Sequence, residues 1–224
     1  MEKIRVLLAD DHTIVRQGLR ALLEAEPDII VVAEAATGRE AVQLAKKLLP
    51  EVVVMDIAMP TLNGLEATRQ ISRDVPGAKL LVLSSYDDDE YVRQVTDAGA
   101  VGYLLKQTAA TDLIRAVHEA REGNAFFSPA IARRLAASSR ETVANGTTGR
   151  PQTSLLTSRE AEVLQLIAEG RANKQIAAEL SISIKTVEKH RQRVMNKLNI
   201  HDTASLTRYA VSKGIVEGRV RPTV

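Results

Sequence analysis

Cysteine is absent from the 224 residues. Neither a disulfide nor a thiolate metal site can form, and a reducing compartment is the simplest setting. Also missing is any apolar stretch near the ~20 residues that a helical membrane span requires. The opening Met1-Glu2-Lys3-Ile4 enters a strand pattern almost at once, which leaves no room for a signal peptide. A cytoplasmic location is therefore expected, without membrane association. No internal repeat is visible.

The net charge of +2 hides a division between halves. Residues 1–125 carry 14 Lys and Arg against 20 Asp and Glu, a net of −6, while residues 126–224 carry 16 against 8, a net of +8. Such asymmetry implies different partners for the two halves, and a basic half is the footprint of nucleic-acid binding. Charge alone does not decide the matter.

Strand-like apolar runs recur at Ile4–Ala9, Ile29–Ala33, Val52–Met55, Leu80–Ser84 and Val101–Leu105. Helical periodicity fills the gaps at Ile14–Leu23, Gly38–Leu48, Leu65–Ile71, Glu90–Ala98 and Thr111–Glu122. This alternation predicts a parallel sheet with helices on both faces. A short helix is expected from Ser128 to Leu135. The polar, Gly/Ser/Thr-rich stretch Ala137–Gln152 then reads as a flexible linker. Beyond it only helical signals remain. Thr157-Ser158-Arg159-Glu160 predicts a capping box and Gly170 the end of that helix. Asn173 is expected to cap a short second helix, and Ser181-Ile182-Ser183 to form a tight turn into a third, Ile184–Leu198. A last helix is expected at Thr203–Lys213, ending at Gly214.

Chemistry concentrates at the strand ends. Asp10 and Asp11 follow the first run, Asp56 the third, Ser84 ends the fourth, and Lys106 follows the fifth. Open α/β sheets place their ligand sites at strand carboxyl ends. Clustered carboxylates there suit Mg²⁺, a hard cation that prefers oxygen. An Asp can accept a phosphoryl group as an acyl phosphate, with Lys106 and Ser84 supplying charge and a donor to its oxygens. Any one such carboxylate is more often a solvated loop residue; the whole set together is not. His12, beside the acidic pair, reads as a surface or helix-start residue rather than a ligand. Asp87-Asp88-Asp89-Glu90 reads as complementing a helix dipole.

Asp10-Asp11, Met55-Asp56-Ile57-Ala58-Met59-Pro60 with Asn63-Gly64, Ser84-Ser85, and Gly102-Tyr103-Leu104-Leu105-Lys106 resemble the receiver domain of bacterial two-component response regulators, over about Ile4–Gly123. The resemblance implies a flavodoxin-like doubly wound α/β fold with five parallel strands in the order 2-1-3-4-5. It implies Asp56 as phosphoacceptor, and Mg²⁺ between Asp11, Asp56 and the Ala58 backbone carbonyl with Asp10 in support. Ser84 and Lys106 would hold the phosphoryl oxygens, and Ser84 and Tyr103 would act as the switch. Gln107 stands where that family often has proline.

On the third helix, 100° per residue gathers Val187, Val194 and Leu198 on one face and Lys185, Glu188, Lys189, Gln192 and Asn196 on the other, flanked by Thr186 and Arg193. Such a polar face, presented after a tight turn, matches a recognition helix. The stretches Leu156–Leu164, Asn173–Ala177 and Lys185–His190 closely resemble the LuxR-type DNA-binding domain, a small all-α helix-turn-helix fold. Taken over the whole chain, the resemblance is to a NarL/FixJ-type response regulator. It implies a receiver at 1–123, a linker with a short helix at 124–152 and a DNA-binding domain at 153–224. Lys185, Thr186, Glu188, Lys189, His190, Gln192 and Arg193 would contact DNA. The implied partners are a sensor histidine kinase, promoter DNA, a second copy on activation and RNA polymerase. A haloacid-dehalogenase-like phosphatase is the enzymatic rival, but its leaving-group acid would fall at Ala58, so no turnover enzyme is expected.

Overall fold

The computed structural model describes residues 2–85, 89–129, 131–132 and 156–216. These fall into two compact units, one built on a sheet and one helical, each described by itself. The expected linker at Ala137–Gln152 and the pair Asp87-Asp88 lie outside the described residues. So does half of the short helix expected at Ser128–Leu135, of which residues 129, 131 and 132 are helical.

The first unit runs β1 (Ile4–Ala9), α1 (Thr13–Glu24), β2 (Ile29–Ala35), α2 (Gly38–Leu48), β3 (Val52–Asp56), α3 (Gly64–Asp74), β4 (Lys79–Ser84), α4 (Asp89–Asp97), β5 (Gly102–Leu105), α5 (Ala109–Arg121) and β6 (Phe126–Phe127). All pairings are parallel, in the order β2-β1-β3-β4-β5-β6. The five expected strands are present in the expected order. β6 extends the sheet by two residues, with the Phe126 and Ser128 N–H groups donating to the Val101 and Tyr103 carbonyls. Val52, Val53, Val54 and Met55 are buried throughout, as a strand covered on both faces requires.

One face of the sheet packs α1 and α5 through Leu19, Leu23, Leu113, Ala116, Val117 and Ala120 against Ile4, Val6, Leu8, Val54, Leu81 and Leu104. Covering each fully buried Leu or Ile contributes on the order of 1.5–3 kcal/mol, so this layer fixes the sheet rigidly. Strand order reverses between β1 and β3, and a ligand crevice opens at such a switch point.

The second unit contains α6 (Ser158–Ala168), α7 (Asn173–Glu179), α8 (Ile184–Leu198) and α9 (Thr203–Ser212). Val163, Leu164, Leu166, Ile167, Ile176, Leu180, Val187, Val194, Leu206 and Ala210 form its core. The expected capping box is present: Thr157 Oγ1 accepts from the Glu160 N–H and Glu160 accepts from the Thr157 N–H. Gly170 takes φ +80° and Gly214 +55°, the left-handed geometry that ends helices without a Cβ penalty. One expectation is corrected. Asn173 is not the cap of α7 but its first helical residue; Ala172 holds the cap position, and its N–H is satisfied by Gln175 Oε1 at 2.9 Å.

Candidate functional site: a carboxylate pocket and a polar recognition helix

Sheet register brings the acidic residues together. Ala9 on β1 pairs with Met55 on β3, Asp56 pairs with Leu83 on β4, and Ser84 pairs with Leu105 on β5. The four strand ends are therefore level, and Asp10, Asp56, Ser84 and Lys106 emerge at one edge. Asp10, Asp56 and Ser84 are each at most 2% exposed.

Lys106 Nζ lies 2.9 Å from Asp10 Oδ2 and 2.8 Å from Asp56 Oδ2, so one ammonium bridges two buried carboxylates. Burial pushes the Asp56 carboxyl up to about 6, the neighbouring Lys106 ammonium opposing and the Asp10 charge adding to the rise. For Lys106, burial acts downward, but the charges of Asp56 and Asp10 outweigh it and the ammonium is held above its ordinary value. The lysine thus stays charged against a carboxylate that is costly to ionise.

Backbone geometry completes the pocket. The His12 N–H donates to Asp10 Oδ1 at 2.7 Å, and the Asp10 carbonyl accepts from the Arg16 guanidinium at 2.6 Å. The Ala58 N–H reaches Asp56 Oδ1 at 3.4 Å, and the Gly64 N–H donates to the Ile57 carbonyl at 2.8 Å. A Cβ on Gly64 would stand 1.9 Å from the Asp56 carbonyl oxygen; only glycine lets the chain pass so close to the strand end. Tyr103, in the middle of β5, is fully buried. The peptide bonds of the described residues are all trans, that joining Lys106 to Gln107 included.

The three carboxylates at this edge fit a hard divalent cation. One donor atom from each of Asp10, Asp11, His12 and Asp56 lies within 4.8 Å of the other three. Asp11 Oδ1 and Asp56 Oδ2 are buried, with His12 Nδ1 2.7 Å from the first and no well-formed hydrogen bond to either, and buried carboxylate oxygens call for a cationic partner. For Asp56 Oδ2, the Lys106 ion pair is part of the answer.

The helical unit presents a second surface. Along α8, Lys185, Glu188, Lys189, Gln192, Arg193 and Asn196 are exposed while Val187 and Val194 are fully buried. The face assignment read from spacing is thus observed. Ser183 caps the helix, its Oγ accepting from the Thr186 N–H at 3.1 Å and lying 2.8 Å from Thr186 Oγ1. Gln192 Nε2 donates to Asn196 Oδ1 at 2.9 Å, which orients the amide. His190 is half-buried, its Nδ1 buried without a hydrogen bond. Burial first, then the Arg159 and Arg193 charges, lower its pKa. Lys197 Nζ anchors α8 to the capping box through Glu160 Oε2 at 2.7 Å.

Two supporting residues escaped the sequence reading. Arg16 ties the Asp10 carbonyl to Glu34 on β2, its Nε donating at 2.8 Å, and Lys197 ties α8 to α6. Both reach across elements far apart in sequence, and neither belongs to a local motif.

A level row of strand-end carboxylates with one lysine is joined in one chain to a helix-turn-helix unit, the two-part layout of a signal-receiving transcription regulator. Residues 6–118 match the response regulator receiver domain family, and residues 154–210 match the luxR family of bacterial regulatory proteins. Transcriptional regulatory protein LiaR of Bacillus subtilis (strain 168) is 44% identical over 207 residues, covering 92% of this chain and 96% of LiaR. The structure of the RcsB response regulator of Salmonella typhimurium is 30% identical with a TM-score of 0.57, covering 95% of this chain and all of that one. A structure of two RcsB dimers bound to two parallel DNAs matches at 30% identity and TM-score 0.57, over 94% of this chain and 99% of that one. The chain belongs to the NarL/FixJ-type response regulators. It is a two-component, DNA-binding regulator of transcription with a LuxR-type helix-turn-helix, not a turnover enzyme.

Proposed function

We propose that Asp56 accepts a phosphoryl group from a sensor histidine kinase, and that this controls dimerisation and sequence-specific binding to promoter DNA. The observation that carries the reading is the buried Asp56 carboxylate bridged by Lys106 at 2.8 Å among further carboxylates. One carboxylate oxygen of Asp56 would attack phosphorus while the P–N bond of a phosphohistidine breaks and its imidazole leaves. Lys106 and Ser84 would hold the phosphoryl oxygens. Asp11, Asp56 and the Ala58 carbonyl, supported by Asp10, would hold Mg²⁺, which when bound neutralises the charge gathering on the transferred group. Lys106 would follow the new charge of about −1.5 to −2, and Ser84 and Tyr103 would carry the change away from the pocket.

The domain limits proposed are 1–123 for the receiver, 124–152 for the linker and 153–224 for the DNA-binding part. On α8, Lys185, Thr186, Glu188, Lys189, His190, Gln192 and Arg193 are the proposed DNA contacts. Lysine and arginine suit guanine or phosphate, glutamine suits adenine and glutamate suits cytosine; His190, half-buried, suits a phosphate. That RcsB is bound to DNA as dimers in a matched structure supports DNA binding by this chain. Contact with RNA polymerase and a cytoplasmic location complete the proposal; no described helix is long and apolar enough to cross a membrane.

Intact-mass analysis after treatment with a small-molecule phosphodonor and Mg²⁺ tests the first step. One phosphoryl group is expected on the wild type and none on Asp56→Asn. A phosphate retained by that variant refutes the assignment.

A further inference from the structure

His12 has an unexplained position. It is the N-cap residue of α1, where a side chain ordinarily accepts from the helix amides, yet it makes no such bond. Its ring turns instead to the carboxylates, with Nδ1 2.7 Å from Asp11 Oδ1 and 3.5 Å from Asp10 Oδ1. Nδ1 and Asp11 Oδ1 are both buried, and neither makes a hydrogen bond, with the other or with any described group. Two buried polar atoms side by side that make no hydrogen bond are costly unless a third group binds both.

Neighbouring ligands of an octahedral ion with bonds of about 2.1 Å stand roughly 3 Å apart. The two distances from His12 Nδ1 bracket that spacing. The donor atoms of Asp10, Asp11, His12 and Asp56, all within 4.8 Å of one another, thus make a mixed nitrogen–oxygen set rather than an all-oxygen one. Imidazole is a poor ligand for Mg²⁺ and a good one for first-row transition ions, whose affinity for nitrogen donors rises along the series from Mn²⁺.

We infer that His12 is a nitrogen donor to the cation of the phosphoacceptor pocket and tilts its selectivity from Mg²⁺ toward divalent transition ions. This rests on the reading of the pocket as cation-binding. His12 sits at the helix start on the rim of the pocket, and its backbone N–H holds Asp10 Oδ1 at 2.7 Å whatever the side chain. Replacing the ring therefore removes the nitrogen while leaving the backbone contact that positions the carboxylate.

The test uses the full chain and Mn²⁺ alone as probe. Electron spin-echo modulation of the bound Mn²⁺ is expected to show coupling to ¹⁴N, and the pattern is expected to change when the histidines are supplied as ¹⁵N. In His12→Gln the nitrogen modulation should vanish and the Mn²⁺ dissociation constant rise roughly tenfold or more, the scale of losing a ligand's support. Mg²⁺ affinity should stay nearly unchanged in that variant, which also shows that the pocket is still folded. Absence of nitrogen coupling in the wild type, its persistence in His12→Gln, or equal losses of Mn²⁺ and Mg²⁺ overturns the inference and leaves the pocket reading intact. If neither ion binds the wild-type chain, it is the reading of the pocket itself that fails.

Discussion

The replacement Asp56→Asn should stabilise the protein in metal-free solution at neutral pH. Asp56 is nearly inaccessible to solvent, and its carboxyl is raised from 3.8 to about 6, chiefly by burial. A folded-state pKa above the unfolded one means that the native state binds the proton more tightly. Stability then falls as pH rises from about 4 to about 6, and stays at the lower level above that. At about 1.4 kcal/mol per pH unit, the charged carboxylate costs the fold at most about 3 kcal/mol. Asparagine keeps the shape and carries no charge, though it takes one of two carboxylate partners from Lys106; Asp10 remains at 2.9 Å. The net expectation is a gain of about 1–2 kcal/mol at pH 7.5. Denaturant unfolding of both proteins in chelator across pH 4–8 gives the measurement. The difference should be small at pH 4, open through pH 6 and plateau, and saturating Mg²⁺ should narrow it by stabilising only the wild type. A variant less stable than wild type at pH 7.5, or a difference that does not change with pH, would refute the reasoning.

Gly64→Ala should lose roughly 1–3 kcal/mol, because its Cβ would stand 1.9 Å from the Asp56 carbonyl oxygen. The same variant should take up phosphate more slowly, measured by mass from a phosphodonor. Thr157→Ala removes the hydroxyl that accepts from the Glu160 N–H and should cost the helical unit about 1 kcal/mol in thermal unfolding. DNA affinity should fall with salt at a log–log slope of about −5 if roughly six phosphates meet cations. Lys189→Ala should weaken binding, with a flatter slope if the contact is to phosphate and relaxed preference at one base pair if it is to a base.

Much of this was legible in the sequence, and the failures have physical causes. The sequence places α2 and α8 well, because Thr37 and Ser183 cap them with side-chain oxygens. β2 runs two residues beyond its apolar stretch. Its apolar run breaks at Glu34, yet Glu34 continues the strand because Arg16 and Arg20 neutralise it at 2.8 Å each. β6 carries too few residues for any periodicity, and only its partner β5 makes it a strand. Asn173 looked like a cap because its residue type favours that position, but a glutamine three residues beyond Ala172 satisfies the terminal amide instead.

The pocket was the most readable part, since each member stands at a strand end and parallel register alone brings strand ends level. His12 was the least readable. From residue type and spacing it was a helix start, and it is one. What spacing cannot show is where a ring turns when its backbone N–H is already committed to Asp10 and its own capping role is unused. A helix N-terminus carries partial positive charge and gives an imidazole there no partner. The carboxylates do, with Asp11 Oδ1 2.7 Å and Asp10 Oδ1 3.5 Å from Nδ1. The buried Nδ1 and Asp11 Oδ1 lie within reach but make no hydrogen bond, and this favours a shared cation.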